Sequence, residues 1–151
     1  MKKIQLISSI ILICIVIYGN TYAQLINIQR FIGKSQIDLI NELGAPVHFD
    51  NSNPSMMFMN YNFLSIQCIA DQNSIYKVQL SRNYTSEKEA YDDIRDFILC
   101  STREGFLSDS ISSRYYTLES KDINTEITIE QQNDSPNLLL KIVASSKQSN
   151  K

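Results

Sequence analysis

The chain has few of the residues on which common catalytic motifs depend. Its 151 residues include one histidine and four glycines. A metal site needs three or four ligands, so His48 alone cannot define one, and we interpret it as a loop residue between a helix and a strand. No Gly-rich phosphate loop, Gly-x-Ser-x-Gly or His-Glu-x-x-His pattern is present. We therefore predict no catalytic residue, no metal ion and no cofactor, and a protein that is not an enzyme.

The acidic residues do not change this prediction. Asp92, Asp93 and Asp96 are interleaved with Lys88 and Arg95 along one segment. Paired carboxylates can catalyse hydrolysis, but mixed charges at this spacing are typical of a solvated helix face.

The one long apolar run is confined to the first residues. Residues 1–3 carry two lysines, and the apolar run that follows them ends near Ile17. Thr21 and Ala23 then occupy the −3 and −1 positions of a cleavage site with small residues. This order is typical of a secretory signal peptide, and the run is shorter than the roughly 20 residues of a spanning helix. We predict a signal peptide at 1–23, a periplasmic or secreted protein of a bacterium, and no integral membrane segment after cleavage.

Two other fates of this segment stay open. It can be retained as an N-terminal anchor instead of being cleaved. Cys14 can also be considered for lipid attachment, but it follows Leu12 and Ile13 rather than small residues, so we interpret it as part of the apolar run.

Basic residues are too few and too scattered for a nucleic-acid partner. Removing Lys2 and Lys3 with the signal leaves 12 basic residues against 16 acidic ones, a net charge of −4. Binding to nucleic acid requires a concentrated Lys/Arg footprint, so this composition argues against a nucleic-acid partner.

Two cysteines, Cys68 and Cys100, remain in the predicted mature chain. An oxidising compartment makes a disulfide between them possible, and closing a loop of about 33 residues would stabilise the fold by about 3–4 kcal/mol. The alternative is two buried thiols that act as small hydrophobic groups. The sequence leaves both open, because it does not fix the distance between the Cα atoms.

Two segments carry the start and stop signals of helices. Ser35 is an N-cap and Gly44 suits the left-handed position after the last turn. Ser86 with Glu89 forms a capping box, and Gly105 ends the second, longer helix. Both helices are therefore predicted with their ends defined.

Each helix is followed by three segments with the alternation typical of strands. These segments are 56–60, 63–70 and 74–80 in the first half, and 114–119, 123–130 and 137–144 in the second. Residues 47–55 form a polar, turn-rich connection. Residues 24–30 precede the first helix as a short strand or a loose arm.

The pattern predicts one α+β domain over residues 24–144. It consists of two α-β-β-β units, about 31–80 and 86–144, which indicates an internal duplication of the plan. Short polar turns favour an antiparallel sheet, with the two helices packed on one face. Residues 145–151 are predicted to form a flexible tail.

The segment from Met56 to Phe63 is dense in methionine and aromatic side chains. A strand cannot direct four consecutive large residues inward, so some of them must face away from the core. Met-rich surfaces adapt to varied partners. We name Met57, Met59 and Tyr61 as a possible partner surface; the alternative is a strand covered on both faces.

The first half resembles a known family. Ile32-Gly33-Lys34-Ser35-Gln36-Ile37-Asp38, then Glu42-Leu43-Gly44-Ala45-Pro46, then Ser74-Ile75-Tyr76-Lys77-Val78 resemble the SmpA/OmlA family of outer-membrane assembly lipoproteins. They are also similar to the β-lactamase inhibitor protein family, whose fold repeats a helix-plus-sheet unit. The resemblance covers about residues 31–80 and implies an envelope or secreted module that works by contact with other proteins. The chain departs from the lipoprotein family because it has no usable lipidation site.

These observations lead to a functional hypothesis. We expect a small exported interaction module, envelope-associated or inhibitor-like, with an unknown protein partner and no catalytic activity. The alternative is a small-ligand carrier with a cavity between the sheet and the helices.

Overall fold

The computed structural model describes residues 25–62, 65–132 and 137–147. Within these ranges the chain forms two α-helices and one antiparallel sheet of eight strands, which confirms the predicted α+β class. The helices are α1 (Gln36–Leu43) and α2 (Glu87–Arg103). The strands are β1 (His48–Asp50), β2 (Met57–Tyr61), β3 (Ile66–Ala70), β4 (Ile75–Tyr84), β5 (Leu107–Ser112), β6 (Tyr115–Glu119), β7 (Ile123–Gln131) and β8 (Leu138–Ser146). The predicted signal peptide lies outside the described residues.

Each half of the chain contributes one helix and then four strands, not the three that the sequence predicted. The order across the sheet is β1-β2-β3-β4-β8-β7-β6-β5, so the halves join through β4 and β8. The two missed strands, β1 and β5, are the two edges of the sheet. Their side chains are all exposed, so neither strand buries one face, and the sequence pattern of a half-buried strand is short or absent in both.

Both helices pack on the same face of the sheet, which we call the inner face. One row of directly paired residues crosses it: Met59, Cys68, Val78, Ala144, Thr125 and Leu118, all of them buried. The Gln36 amide of α1 donates to Met57 Sδ on this face at 3.2 Å. On α2, Asp93 accepts from the Tyr84 hydroxyl of the same face.

The predicted helix ends are confirmed. The Ser35 hydroxyl accepts from the Asp38 amide at 3.1 Å, and the Ser86 hydroxyl accepts from the Glu89 amide at 3.4 Å. Gly44 stands after α1 with φ of 85°. This value lies in the left-handed region that glycine adopts without a Cβ clash.

Residues 25–34, which we call the N-terminal strap, are part of the core. Ile28–Phe31 form a 3₁₀ turn against β4 and β8, at the joint between the halves. The Gly33 amide donates to the Ile75 carbonyl, and the Ile75 amide donates to the Lys34 carbonyl, both at 2.8 Å. The prediction of a short strand or loose arm at 24–30 is therefore wrong for its described part.

Two smaller predictions also require correction. The predicted tail begins too early, because Ser145 and Ser146 pair with Asn124 and Ile123 as the end of β8; residues 148–151 lie outside the described part. In β4 the register shifts opposite Ile69 and Ala70. This bulge places Ile75, rather than Tyr76, on the inner face, since it adds one unpaired residue.

Glu42 joins the strap to α1 and makes stability depend on pH. Its carboxylate lies 2.6 Å from Lys34 Nζ and 2.7 Å from the Arg30 guanidinium. The hydrogen bond from Lys34, followed by the charge of Arg30, holds the pKa of Glu42 below its ordinary value of 4.5. The contribution is therefore fully present above pH 4.5 and is lost as the pH falls through the lowered pKa.

We expect Glu42→Gln to destabilise the protein at pH 7 by no more than about 1 kcal/mol, because the pair is solvent-screened. The difference from the unchanged protein should shrink as the pH falls below 4.5 and disappear once the pH lies below the lowered pKa of Glu42. Denaturant unfolding at several pH values measures it. Glu126→Gln, on the helix-free face, controls for the loss of a surface carboxylate. A destabilisation by Glu42→Gln that persists at low pH would contradict the assignment of this contribution to the ionised Glu42 carboxylate.

Candidate functional site

The residues predicted as a partner surface are buried. Met57, Met59 and Tyr61 face the helices, and Tyr61 is only 1% exposed. They pair with Ala70, Cys68 and Ile66 of β3, which are buried as well. The prediction that these three side chains form a surface is therefore wrong, because the odd-numbered positions of β2 belong to the core layer. Phe63 lies outside the described residues.

The exposed apolar side chains of this region come instead from the edge strand. Phe49 pairs with Met59 and is 39% exposed, while Val47, two residues earlier on the same side, is 62% exposed. We call Val47 and Phe49 the apolar edge. They extend the row of core side chains beyond Met59 and are only partly covered. The sequence signal for this strand was a short alternation of apolar Val47 and Phe49 with polar His48 and Asp50. It lies within residues 47–55, which were interpreted from the sequence as a polar connection.

His48 lies on the helix-free side of β1. It pairs with Asn60, and its ring centroid is 6.1 Å from that of Phe58, which faces the same side. The side chain is exposed. His48 is thus a strand residue and not the loop residue that the sequence predicted.

The opposite edge of the sheet is built differently. Leu107 and Ile111 of β5 are also exposed. However, the pairing with β6 shifts between Ser110 and Ser112, so Ile111 is the extra residue of a bulge, and Asp109 puts a charge in mid-strand. Bulges and charges are features by which edge strands resist pairing with other chains. Because β1 has no bulge in its pairing with β2, the apolar edge is the better candidate for a contact surface.

Cys68 and Cys100 are not joined by a disulfide. Cys68 is fully buried in β3, where burial raises the pKa of its thiol to about 12. Cys100 lies on α2, which packs over β4, β5 and β8. Of the two alternatives that the sequence left open, the disulfide is therefore not formed in this structure, and the thiols are unbridged, with Cys68 buried and Cys100 partly buried.

The acidic segment of α2 is only partly a solvated face. Asp93 accepts from the Tyr84 hydroxyl at 2.5 Å and lies 3.2 Å from the Arg82 guanidinium. The Arg82 guanidinium also stacks over the Tyr84 ring, 5.2 Å from its centroid. Burial, and then the charge and hydrogen bond of Asp93, raise the pKa of Tyr84 far above 10. This cluster fixes α2 to the end of β4, whereas Asp92 and Asp96 pair with Arg95 at the surface.

Two buried tyrosines give opposite expectations when their hydroxyls are removed. Tyr84→Phe should lower the free energy of unfolding by about 1.5–3 kcal/mol, because a hydrogen bond to a charged group is lost. Tyr61→Phe should leave it unchanged or raise it by up to about 1 kcal/mol. The Tyr61 hydroxyl has no hydrogen-bond partner among the described residues, and burial raises its pKa to about 12.

Denaturant unfolding of both variants, in the same buffer, provides the measurement. Each substitution controls for the other, since the atoms removed are identical. A loss of stability for Tyr61→Phe equal to that for Tyr84→Phe would show that the Tyr61 hydroxyl has a partner in solution.

Two grooves border α2. One, of about 400 Å³, lies between the N-terminal strap and the helix, and we call it the strap groove. The other, of about 600 Å³, surrounds the first turns of α2 and the end of β4. Asp93 and Asp96 line both grooves. Both are open to the surface and bordered by charged side chains.

In residues 25–62, 65–132 and 137–147, no group of three or more His, Cys, Asp or Glu side chains is arranged to hold a metal ion. None of the helices of this described part has the length and apolar character needed to span a membrane. Comparisons with family models, curated proteins and solved structures found no match for this chain.

Proposed function

We propose that the protein is a small exported protein-interaction module that acts without catalytic activity. The observation that carries this proposal is the apolar edge, where the core layer of the sheet continues to an edge strand and its side chains become exposed. Exposed apolar groups at such positions often mark protein contacts. The signal peptide pattern and the resemblance to contact-making envelope proteins support the same proposal.

The partner that fits this edge is an extended segment of another protein. An extended segment can pair with the outward backbone groups of β1 and add a ninth strand to the sheet. Since Val47 and Phe49 stand on the inner side of the sheet, the incoming segment would place its apolar side chains on that side and its polar ones on the other. Backbone pairing supplies affinity, and the alternating side chains supply specificity.

A site-specific photo-crosslinking experiment tests the proposal. A photoreactive residue at the exposed Ala45, next to the apolar edge, is expected to capture a partner segment of alternating apolar character, identified by mass spectrometry of the joined peptides. Val47→Ser with Phe49→Ser should abolish the crosslink. Leu107→Ser with Ile111→Ser makes the matched change on the opposite edge and should leave it intact.

The possible outcomes are distinct. Crosslinks that survive the Val47/Phe49 double substitution, or that map to unrelated surfaces, would contradict the proposal. A crosslink between two copies of this chain would show that β1 pairs with itself and not with a different protein.

The ligand-carrier alternative receives no support from the grooves. A carrier of small apolar ligands buries most of its ligand in an enclosed, mainly apolar cavity. The strap groove and the groove at the start of α2 open on the surface instead.

A further inference from the structure

The end of the sheet that carries the apolar edge is built from a stretch of sequence without basic residues. No lysine or arginine occurs between Lys34 and Lys77, whereas aspartate and glutamate occur there four times. This stretch forms α1 and the strands β1, β2 and β3. These elements therefore carry negative charge and no lysine or arginine of their own.

Asp50 is the carboxylate that lies on the edge strand itself. It is the last residue of β1 and stands on the helix-free side, directly opposite Phe58. It is exposed, and its Oδ1 accepts from the Ser52 amide at 2.9 Å. This hydrogen bond is the main reason why the pKa of Asp50 lies below its ordinary value of 3.8. The carboxylate is therefore ionised at neutral pH.

The charge of Asp50 is not neutralised within the part of the chain that the structure describes. None of the ion pairs found there includes Asp50, and the two cations of the strap pair with Glu42. The row of paired residues that begins at Asp50 continues through Phe58 and Ile69 to Lys77 on β4. Three strand spacings amount to about 14 Å, which exceeds the Debye length of about 8 Å at physiological ionic strength. Lys77 is therefore too far away to screen Asp50.

A segment that pairs with β1 would meet this charge directly. Side chains opposite each other on antiparallel strands have Cβ atoms about 4.5–5.5 Å apart. The inner side chains of the segment would lie next to Val47 and Phe49, and its outer ones next to His48 and Asp50. A lysine or arginine opposite Asp50 gains an ion pair there, whereas an acidic residue is repelled.

The two edges of the sheet use charge differently. On β5 the charge of Asp109 is combined with a bulge, and the two together hinder the pairing of any segment. On β1 the pairing is regular and Asp50 is the last residue of the strand. A single carboxylate on a regular edge repels acidic segments but attracts basic ones, so it discriminates between partners.

We infer that the apolar edge and Asp50 together select a basic extended segment, with apolar side chains at every second position and lysine or arginine between them. This inference rests on the proposed function, because it specifies the partner of the same edge. The apolar side chains of the segment pack against Val47 and Phe49. Its cations lie on the helix-free side, where one of them pairs with Asp50.

Synthetic peptides serve as probes for this inference, and the complete chain of 151 residues is the binding protein. Each peptide has valine at every second position, and the positions between are all lysine, all threonine or all glutamate. Fluorescence anisotropy of the labelled peptides gives the three Kd values. We expect the lysine peptide to bind about 2- to 5-fold more tightly than the threonine peptide, and the glutamate peptide to bind more weakly than both.

Asp50→Asn tests the carboxylate alone. The substitution keeps an oxygen that can accept from the Ser52 amide, so the turn after β1 is retained while the charge is removed. We expect the preference for lysine over threonine to disappear. Asp109→Asn removes one charge from the opposite edge strand and should leave the preference unchanged. An equal reduction by both substitutions would show attraction to the net charge of the protein and would overturn the inference.

The outcomes distinguish this inference from the proposed function. Equal affinities for the three peptides, all lost in the Val47→Ser/Phe49→Ser variant, overturn the selection of basic segments and leave the contact at this edge standing. Binding of the peptides that the double substitution leaves intact, or no binding of any peptide, overturns both.

Discussion

Replacing Phe31 with alanine is expected to lower the free energy of unfolding by about 3–5 kcal/mol. The ring is completely buried in the strap, against the joint between the two halves. The Arg30 guanidinium lies 5.1 Å from its centroid and the Lys34 ammonium 5.7 Å, so cation–π attraction is lost together with the apolar contacts. Urea unfolding measures the change.

Phe49→Ala is the matched control for this prediction. It removes the same atoms from the partly exposed apolar edge, where the cavity term is small, and we expect a loss below about 1.5 kcal/mol. Equal losses at the two positions would show that the strap does not belong to the core in solution.

Gln29→Ala should cost about 2–3 kcal/mol, through a different mechanism. The Gln29 side chain is 2% exposed; its amide nitrogen donates to the Thr125 hydroxyl at 3.0 Å, and its carbonyl accepts from the Ser101 hydroxyl at 3.1 Å. It therefore ties the strap to β7 and α2 at once. Removing it deprives two buried hydroxyls of a partner, each at a cost of roughly 1 kcal/mol or more.

A double-mutant cycle with Thr125→Val isolates this hydrogen bond. Valine keeps the shape of threonine but cannot hydrogen-bond, so the coupling between Gln29 and Thr125 should be about 1 kcal/mol. Ser101 keeps its bond to the Phe97 carbonyl, which limits the total loss. Additive effects of the two substitutions would mean that the network contributes nothing beyond packing.

Sequence patterns were most informative where burial alternates along an element. The caps at Ser35 and Ser86, the glycines after both helices and six of the eight strands followed from local chemistry. These signals depend only on neighbours within a few residues, such as a hydroxyl and the amide three positions later. The α+β class followed from them.

The sequence was least informative at the sheet edges and in the strap. An edge strand such as β5 is held by backbone pairing to one neighbour, so its side chains need not alternate. In the strap, Gln29 is a polar residue in the core, and its partners Ser101 and Thr125 are 72 and 96 residues away. No local sequence pattern predicts a contact between residues so far apart in the chain.

The misplacement of Met57, Met59 and Tyr61 has the same origin. The sequence showed that large side chains occupy both sides of β2, but it did not show which side the helices cover. One step of register moves every side chain of a strand to the other face. The covered side was decided by where α1 and the strap pack.

By itself the sequence determined the helices with their ends, most strands, the acidic balance and the export pattern at 1–23, because each depends on local composition and spacing. Tertiary structure alone decided that the halves join through β4 and β8, that the strap closes the core between them, and that Val47 and Phe49 stand uncovered. These features depend on contacts between residues that are distant in the chain. Forming such contacts costs loop-closure entropy, and this cost is offset only when the whole core packs.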